Sequence, residues 1–255
     1  MMSQIPNVLV GVFSQWASVF IFLFVILMIQ RKYLKELNRL GGRPMMLIPA
    51  ALFVPVHELS HALMAILMGH KVKRIIFFQM TNAKTLGYVE HAYTKSIFSP
   101  FSNMLIGMAP LVGGGISCYW ITYWFMPSLL SFNYVPQGAE LITLTDIANT
   151  AKVTVDIMQL HWGSMGFWLW LFLIVNAATF NVPSGADFNG AKGGVMISLG
   201  LYLFLSYYSG SALQINAIAR GVLVVIPFLI IIALSGGLII AILALINKIL
   251  GRASE

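Results

Sequence analysis

Long apolar runs, separated by short polar segments, dominate the hydrophobic pattern of this chain. Each run is close to the ~20 residues that an α-helix needs to cross a bilayer. The pattern therefore predicts an all-α polytopic membrane protein with about six transmembrane helices. These helices are expected over 8–30, 45–69, 98–126, 164–182, 193–209 and 218–247.

Three stretches depart from this pattern. Residues 70–95 contain "RIIFFQM" and "TLGYVEHAY", rich in β-branched and aromatic residues, on either side of the turn-like "TNAK". They predict a small membrane-associated β-hairpin. Residues 127–163 are the longest polar connection and predict an extramembrane loop or a small cap with a short helix. The Pro and Gly residues of "NVPSGADFNGAKGG", residues 181–194, are expected to break or unwind a helix.

Composition agrees with a membrane protein, since 59% of the residues are hydrophobic and only 9% are charged. We expect a single multi-pass integral membrane domain over 1–255, with its core at 45–195 and the first apolar run retained as a span. The net charge of +7 comes from short basic clusters beside the apolar runs. Such clusters favour lipid headgroups over nucleic acid as partners, but they do not decide the orientation of the protein in the membrane.

The acidic residues single out two positions for closer attention. Of eight Asp and Glu residues, only Glu58 and Asp187 lie within or directly beside an apolar run. An ionisable side chain there costs about 2.5–3.5 kcal/mol or more, so it indicates a functional site.

Glu58 belongs to the stretch "HELSH", residues 57–61. On a helix, His57 and His61 are four residues apart and share one face, so both imidazoles can reach one metal ion. Glu58 borders the same face and is placed to take a proton from an attacking water. Zinc fits two imidazole ligands and hydrolytic chemistry. The alternative is that the histidines only form hydrogen bonds between helices.

Asp187 lies in the segment 181–194, where the helix is expected to break. A catalytic zinc site usually has three protein ligands and one open position, so Asp187 is the candidate third ligand. The alternative is an interfacial loop in which Asp187 caps the next helix and Gly190 starts it.

Together these motifs resemble the site-2 protease family of intramembrane zinc metalloproteases. That family combines an HExxHxxxA helix, here "HELSHALMA" (57–65), with a distant Asn/Pro-rich segment that ends in Asp-Gly. "GHKVKRIIFF", "LGYV" and "MAPLV" are similar to the hairpin and to the next helix of the family. The resemblance covers 45–125 and 165–195. It departs at Asp187, where Phe188 and Asn189 precede Gly190.

The resemblance implies an intramembrane zinc endopeptidase that cleaves a transmembrane protein substrate in or near its span. The membrane is expected to be an inner or plasma membrane of bacterial type, and the chain to be a minimal catalytic core without a PDZ domain. The implied zinc ligands are His57, His61 and Asp187, with Glu58 as general base. Asn181 would hold substrate or the transition state, and the strand over 86–91, with Gly87, Tyr88 and Val89, would pair with substrate backbone.

Three other functions fit part of the pattern. A prenyl-protein protease type of enzyme usually has Glu as third ligand, which would point to Glu140. A pseudoprotease would bind membrane helices without cleaving them, and a metal-binding membrane protein would transport the ion. Outside the motifs, Glu90 and His91 are expected at a solvated strand end, with a place near the cleft as the alternative. His70 is expected at the headgroup boundary.

Overall fold

The computed structural model describes residues 5–80, 85–131, 144–209 and 216–252. This part of the chain is mostly helical and contains one two-stranded sheet. Its helices are α1 (Ile5–Leu67), α2 (Ser99–Phe125), α3 (Leu144–His161), α4 (Met165–Phe180), α5 (Gly185–Ser209) and α6 (Asn216–Ile249); its strands are β1 (Lys71–Ile76) and β2 (Tyr88–Ala92). A short 3-10 turn, Pro127–Leu129, follows α2.

Four helical stretches within the described residues are long and apolar enough to cross a membrane. They are Phe24–Leu67, Ser99–Phe125, Gly185–Leu205 and Ile230–Ile249. The helix α4 is also apolar but shorter. These lengths and compositions agree with a helical membrane protein.

Two predicted spans, 8–30 and 45–69, lie in the single element α1. A loop was expected between them over 31–43. That expectation is wrong for most of the segment, because the helix continues until two glycines interrupt it. Gly41 and Gly42 have non-helical backbone angles, with φ +65° at Gly42, a conformation that glycine adopts without steric cost. Pro44 follows, and proline is tolerated in the first turn of a new helical segment.

The end of α1 that carries the HELSH stretch buries its histidines and exposes large apolar side chains. Leu59 and Leu63 are 45% and 53% exposed, whereas His61 and Ala65 are buried. A soluble protein would not leave such a row of large apolar side chains uncovered, so this face suits lipid.

The strands β1 and β2 form the predicted hairpin. They pair antiparallel, with Ile75 opposite Val89 and Ile76 opposite Tyr88, and an irregularity falls between Val72 and Arg74. The turn predicted at "TNAK" (81–84) lies outside the described residues. The hairpin prediction is therefore confirmed for its strands.

The non-helical segment predicted over 181–194 is shorter in the structure. Helix α4 ends at Phe180 and α5 already begins at Gly185, so only 181–184 are non-helical and the expectation of irregular backbone up to 194 is wrong. A helix was expected within 127–163, and α3 is that helix.

The described chain divides into two compact units. One comprises 1–30, 121–175 and 200–239, and the other comprises 31–120, 176–199 and 240–255. The second unit contains the HELSH end of α1, the hairpin, most of α2 and the start of α5. His57, Glu58, His61, Asp187 and the residues that line their cavity belong to this unit.

Candidate metal centre

Helix α1 brings His57, Glu58 and His61 together in the interior of this unit. All three side chains are buried, with exposures between 7% and 9%. The Nε2 atoms of His57 and His61 are 3.1 Å apart. The prediction that four-residue spacing would place both imidazoles at one point is therefore confirmed.

Each imidazole is held by a backbone carbonyl through its other nitrogen. Nδ1 of His57 lies 3.0 Å from the carbonyl oxygen of Phe180. Since a carbonyl only accepts, Nδ1 must carry the proton and donate it. The Phe180 carbonyl is available because α4 ends there: the amide of Ser184, four residues on, instead donates to Asp187.

Nδ1 of His61 donates in the same way, at 2.8 Å, to the carbonyl oxygen of Ile106 in α2. In a regular helix that carbonyl would accept from the amide four residues later. Here the fourth residue is Pro110, which has no amide hydrogen. The proline in "MAPLV" thus leaves a carbonyl in the middle of a helix for His61.

These two hydrogen bonds determine what faces the site. When both Nδ1 atoms carry protons, the neutral imidazoles present bare Nε2 lone pairs. The Asp187 carboxylate completes the group: Oδ1 is 3.3 Å from Nε2 of His61, and Oδ2 is 3.6 Å from Nε2 of His57. Acceptors this close repel one another unless a cation lies between them. A proton bridges only one such contact at a time, whereas a metal ion satisfies all three ligands.

The separations of these atoms test whether zinc fits. Ligands at about 2.0–2.1 Å from a tetrahedral zinc are about 3.3 Å from each other. The two Nε2 atoms are 3.1 Å apart, and the nearest carboxylate oxygen of Asp187 is 3.3 Å from His61 (Oδ1) and 3.6 Å from His57 (Oδ2), all around this value. With one ligand atom taken from each residue, the three atoms lie within 4.8 Å of one another. His57, His61 and Asp187 are also the one group of three or more metal-ligating side chains found among the described residues. The donor set therefore fits zinc.

Asp187 reaches the histidines because α5 comes very close to α2. A Cβ placed at Gly107 would lie 2.7 Å from the carbonyl oxygen of Asp187 and 3.1 Å from Cβ of Ala191. Only a glycine allows that approach without displacement. Gly107 follows directly after Ile106, so one short stretch of α2 supports both His61 and Asp187.

A cavity of about 620 Å³ opens onto these ligands. Glu58 lines it together with the predicted hairpin residues Gly87, Tyr88 and Val89. Gly87 leaves no room for a side chain, because a Cβ there would lie 2.9 Å from the backbone carbonyl oxygen of Ile76 and 2.8 Å from Cγ of Glu58. The structure thus brings the HELSH residues, Asp187 and the start of β2 into one cavity.

Asn181 is placed differently from these residues. Its side chain is 2% exposed, its amide donates to the carbonyl oxygen of Ala177 at 2.9 Å, and Gly114 packs against its Cβ. It does not line the cavity that the described residues enclose. Its role toward substrate stays a prediction. Glu140, the alternative third ligand, lies outside the described residues.

A second polar group lies on the cavity. His91 lines it, which the sequence offered as the alternative to a solvated strand end, and His70 is buried. Nδ1 of His70 is 3.0 Å from Nδ1 of His91, and its Nε2 is 3.0 Å from Oγ of Ser102. The sequence signal for this placement is the predicted hairpin, because its turn brings β2 back toward the end of α1.

No protein-family model matches this chain, and neither the curated proteins nor the solved structures include a significant match to it. The fold and the site by themselves define a class: a helical membrane protein with a candidate metal centre. The resemblance to site-2 proteases stays a prediction from the motifs quoted above.

Proposed function

We propose that this protein is an intramembrane zinc endopeptidase that hydrolyses a peptide bond in or near the transmembrane segment of another protein. The observation that carries the proposal is the cavity itself. It combines three metal donors, an additional buried carboxylate and the edge of a β-strand. A structural histidine pair would need neither the converging aspartate nor the glutamate beside it.

In this proposal His57, His61 and Asp187 hold zinc. The bound ion supplies a Lewis acid that polarises a peptide carbonyl and makes water a better nucleophile. The Phe180 and Ile106 carbonyls keep both imidazoles in the tautomer that presents Nε2. Such outer hydrogen bonds orient ligands and raise their basicity.

Glu58 then serves as the general base. Its carboxylate takes a proton from the attacking water, and the resulting acid gives the proton to the leaving amine. Its burial in the cavity beside Gly87 supports this role, because the carboxylate has little access to bulk solvent and lies where substrate would enter. The same position would be costly for a carboxylate without a function.

The hairpin supplies a place for the substrate backbone. In the described sheet β2 pairs only with β1, so its other edge retains backbone groups that can pair with an extended peptide. A transmembrane helix resists proteolysis because its amides bond internally. Pairing with β2 would stabilise an unwound segment next to Glu58.

The membrane location belongs to the same proposal. The four long apolar helices, together with the shorter α4, suit a multi-pass protein. We count six spans, with the Gly41–Gly42 break separating the first two, in an inner or plasma membrane of bacterial type. The substrate would then meet the site from within the bilayer.

Glu58→Gln is the direct test, with zinc content and cleavage of single-span substrate proteins both measured on purified protein. We expect zinc to stay bound and cleavage to fall by at least about 100-fold. Glu90→Gln is the matched control, since Glu90 is an exposed carboxylate on β2 that does not line the cavity.

Two results would contradict the proposal. One is full cleavage by Glu58→Gln. The other is zinc flux into proteoliposomes without cleavage of any substrate, which would indicate a transporter.

A further inference from the structure

Among the polar side chains that line the cavity beyond the proposed zinc ligands and Glu58, three lie together. They are His91 on β2, Tyr93 just after it and Asn103 in the first turns of α2. None is needed to bind the metal. Two of them contact each other, since Nδ2 of Asn103 donates to the Tyr93 hydroxyl at 2.8 Å.

His70 contacts both Tyr93 and His91 and holds them in place. Its ring stacks on Tyr93, with centroids 4.4 Å apart and planes 16° apart, and its Nδ1 bonds to Nδ1 of His91. His70 is itself positioned by the end of α1. Gly69 has φ +74°, and the His70 amide donates to the carbonyl oxygen of Ala65 at 2.8 Å. This is a Schellman motif, in which glycine takes the left-handed position.

The hydrogen bonds determine which polar atoms remain for a ligand. The Ser102 hydroxyl donates to the Ser99 carbonyl, so it accepts from Nε2 of His70. Nδ1 of His70 is then the acceptor and Nδ1 of His91 the donor, which leaves Nε2 of His91 as a bare acceptor. No described residue bonds to that atom or to Oδ1 of Asn103, and the Tyr93 hydroxyl keeps its own hydrogen to donate.

This combination of one donor and two acceptors, without a charged side chain among the three, selects for a kind of ligand. A carboxylate would meet two acceptors, and an ammonium group would find no opposite charge among these three side chains. A hydroxyl or carboxamide can donate and accept at once. Glu90, the nearest carboxylate along β2, is exposed and does not line the cavity.

We propose that His91, Tyr93 and Asn103 form a substrate subsite that binds a neutral polar side chain, Ser, Thr, Asn or Gln, near the scissile bond. The inference rests on the proposed function, because it takes the ligand to be a peptide. His70 and Ser102 are positioning residues that act through His91 and Tyr93. The subsite would let the enzyme distinguish one polar residue within an otherwise apolar substrate segment.

The test begins with a single-span protein that the wild type cleaves and whose cleavage site is mapped by mass spectrometry. Each position within about six residues of the scissile bond, a reach of about 20 Å in extended peptide, is changed in turn to Leu, Ser and Asn. We expect one position at which Ser or Asn exceeds Leu by about tenfold in kcat/KM.

Tyr93→Phe is the main variant, because it removes the hydroxyl and keeps the ring that stacks on His70. His91→Phe removes the acceptor with a ring of similar size. In both, the polar preference should fall to threefold or less, with zinc content unchanged. His161→Gln is the control: this histidine lies in the other compact unit, and the preference should persist.

Two outcomes would overturn the subsite. A wild type without polar preference at any position contradicts it, and so does a full preference in both variants. Failure of the proposed function has a different signature, since a wild type that binds zinc but cleaves nothing is recognised before the panel begins. That result would overturn both proposals.

Discussion

Ser184 and Asp187 each bond to the backbone of the other. Oδ2 of Asp187 accepts from the Ser184 amide at 2.6 Å, and Oγ of Ser184 accepts from the Asp187 amide at 3.2 Å. This capping box starts α5, and its carboxylate is the one that faces His57 and His61. The sequence offered helix cap and metal ligand as alternative roles for Asp187. In the structure one side chain is placed for both.

The two roles can be separated by substitution. Asp187→Asn keeps an oxygen for the cap but removes the charge, so we expect zinc affinity to fall by at least about 100-fold with little change in α5. Ser184→Ala keeps the carboxylate but loosens it, and should cost about tenfold in affinity and about 1 kcal/mol in stability. Competition with a chelating dye measures the affinity.

Ser164→Ala is the matched control for the cap. Oγ of Ser164 accepts from the Phe167 amide at the start of α4, so its loss also removes a helix cap. We expect a similar loss of stability without a change in zinc affinity. Equal effects of both serine variants on zinc would mean that the Ser184 cap does not position Asp187.

Gly107→Ala should weaken the metal site from α2. The added methyl would lie 2.7 Å from the Asp187 carbonyl oxygen, so α5 must move away and carry the carboxylate with it. We expect about a tenfold or larger loss of zinc affinity. Gly115→Ala in the same helix has no atom within 4 Å of its new methyl and should bind zinc like the wild type. Unchanged affinity in Gly107→Ala would show that α5 adjusts without moving Asp187.

Pro110→Ala should separate stability from metal binding. It restores an amide that competes with His61 for the Ile106 carbonyl, so zinc affinity should fall by about tenfold. The same change removes a proline from a helix interior, where proline costs about 3 kcal/mol, and should raise thermal stability. Calorimetry and zinc titration on one sample measure both. A variant that gains stability and keeps its affinity would argue against the carbonyl as a support for His61.

The hairpin histidines predict a dependence of stability on pH. Burial lowers the pKa of His70, and burial together with the nearby His70 and His61 lowers the pKa of His91. Because the folded pKa values lie below the unfolded value of about 6.5, the unfolded state binds more protons in this range. The stability contribution is therefore complete above about pH 6.5 and is lost as pH falls through the folded pKa values.

NMR titration of isotopically labelled histidine provides the measurement. Signals assigned with His70→Gln and His91→Gln should titrate below about pH 6.5. Protection factors of the β1 and β2 amides, corrected for the intrinsic exchange rate at each pH, should fall on acidification in the wild type and less so in the double variant. Midpoints above this value for both histidines would contradict the burial argument.

Much of this protein follows from the sequence by itself. Lipid imposes long apolar helices on any chain that crosses it, so the helical stretches were readable from composition and run length. The helical period alone put His57 and His61 on one face with Glu58 at its border. The β-branched and aromatic content of 70–95 was enough to predict the two strands. These are local properties, and local sequence determines them.

Only the tertiary structure decided how distant segments meet. Nothing local to "HELSH" indicates that the carbonyls of Phe180 and Ile106 will hold its imidazoles. Nor does it indicate that Gly107 will admit Asp187. The length of the irregular segment before α5 depended on the Ser184 cap, and the placement of His91 on the cavity depended on the pairing of β2 with β1. The physical reason is that each of these contacts joins residues far apart in the chain, where the packing of helices and strands sets the distances.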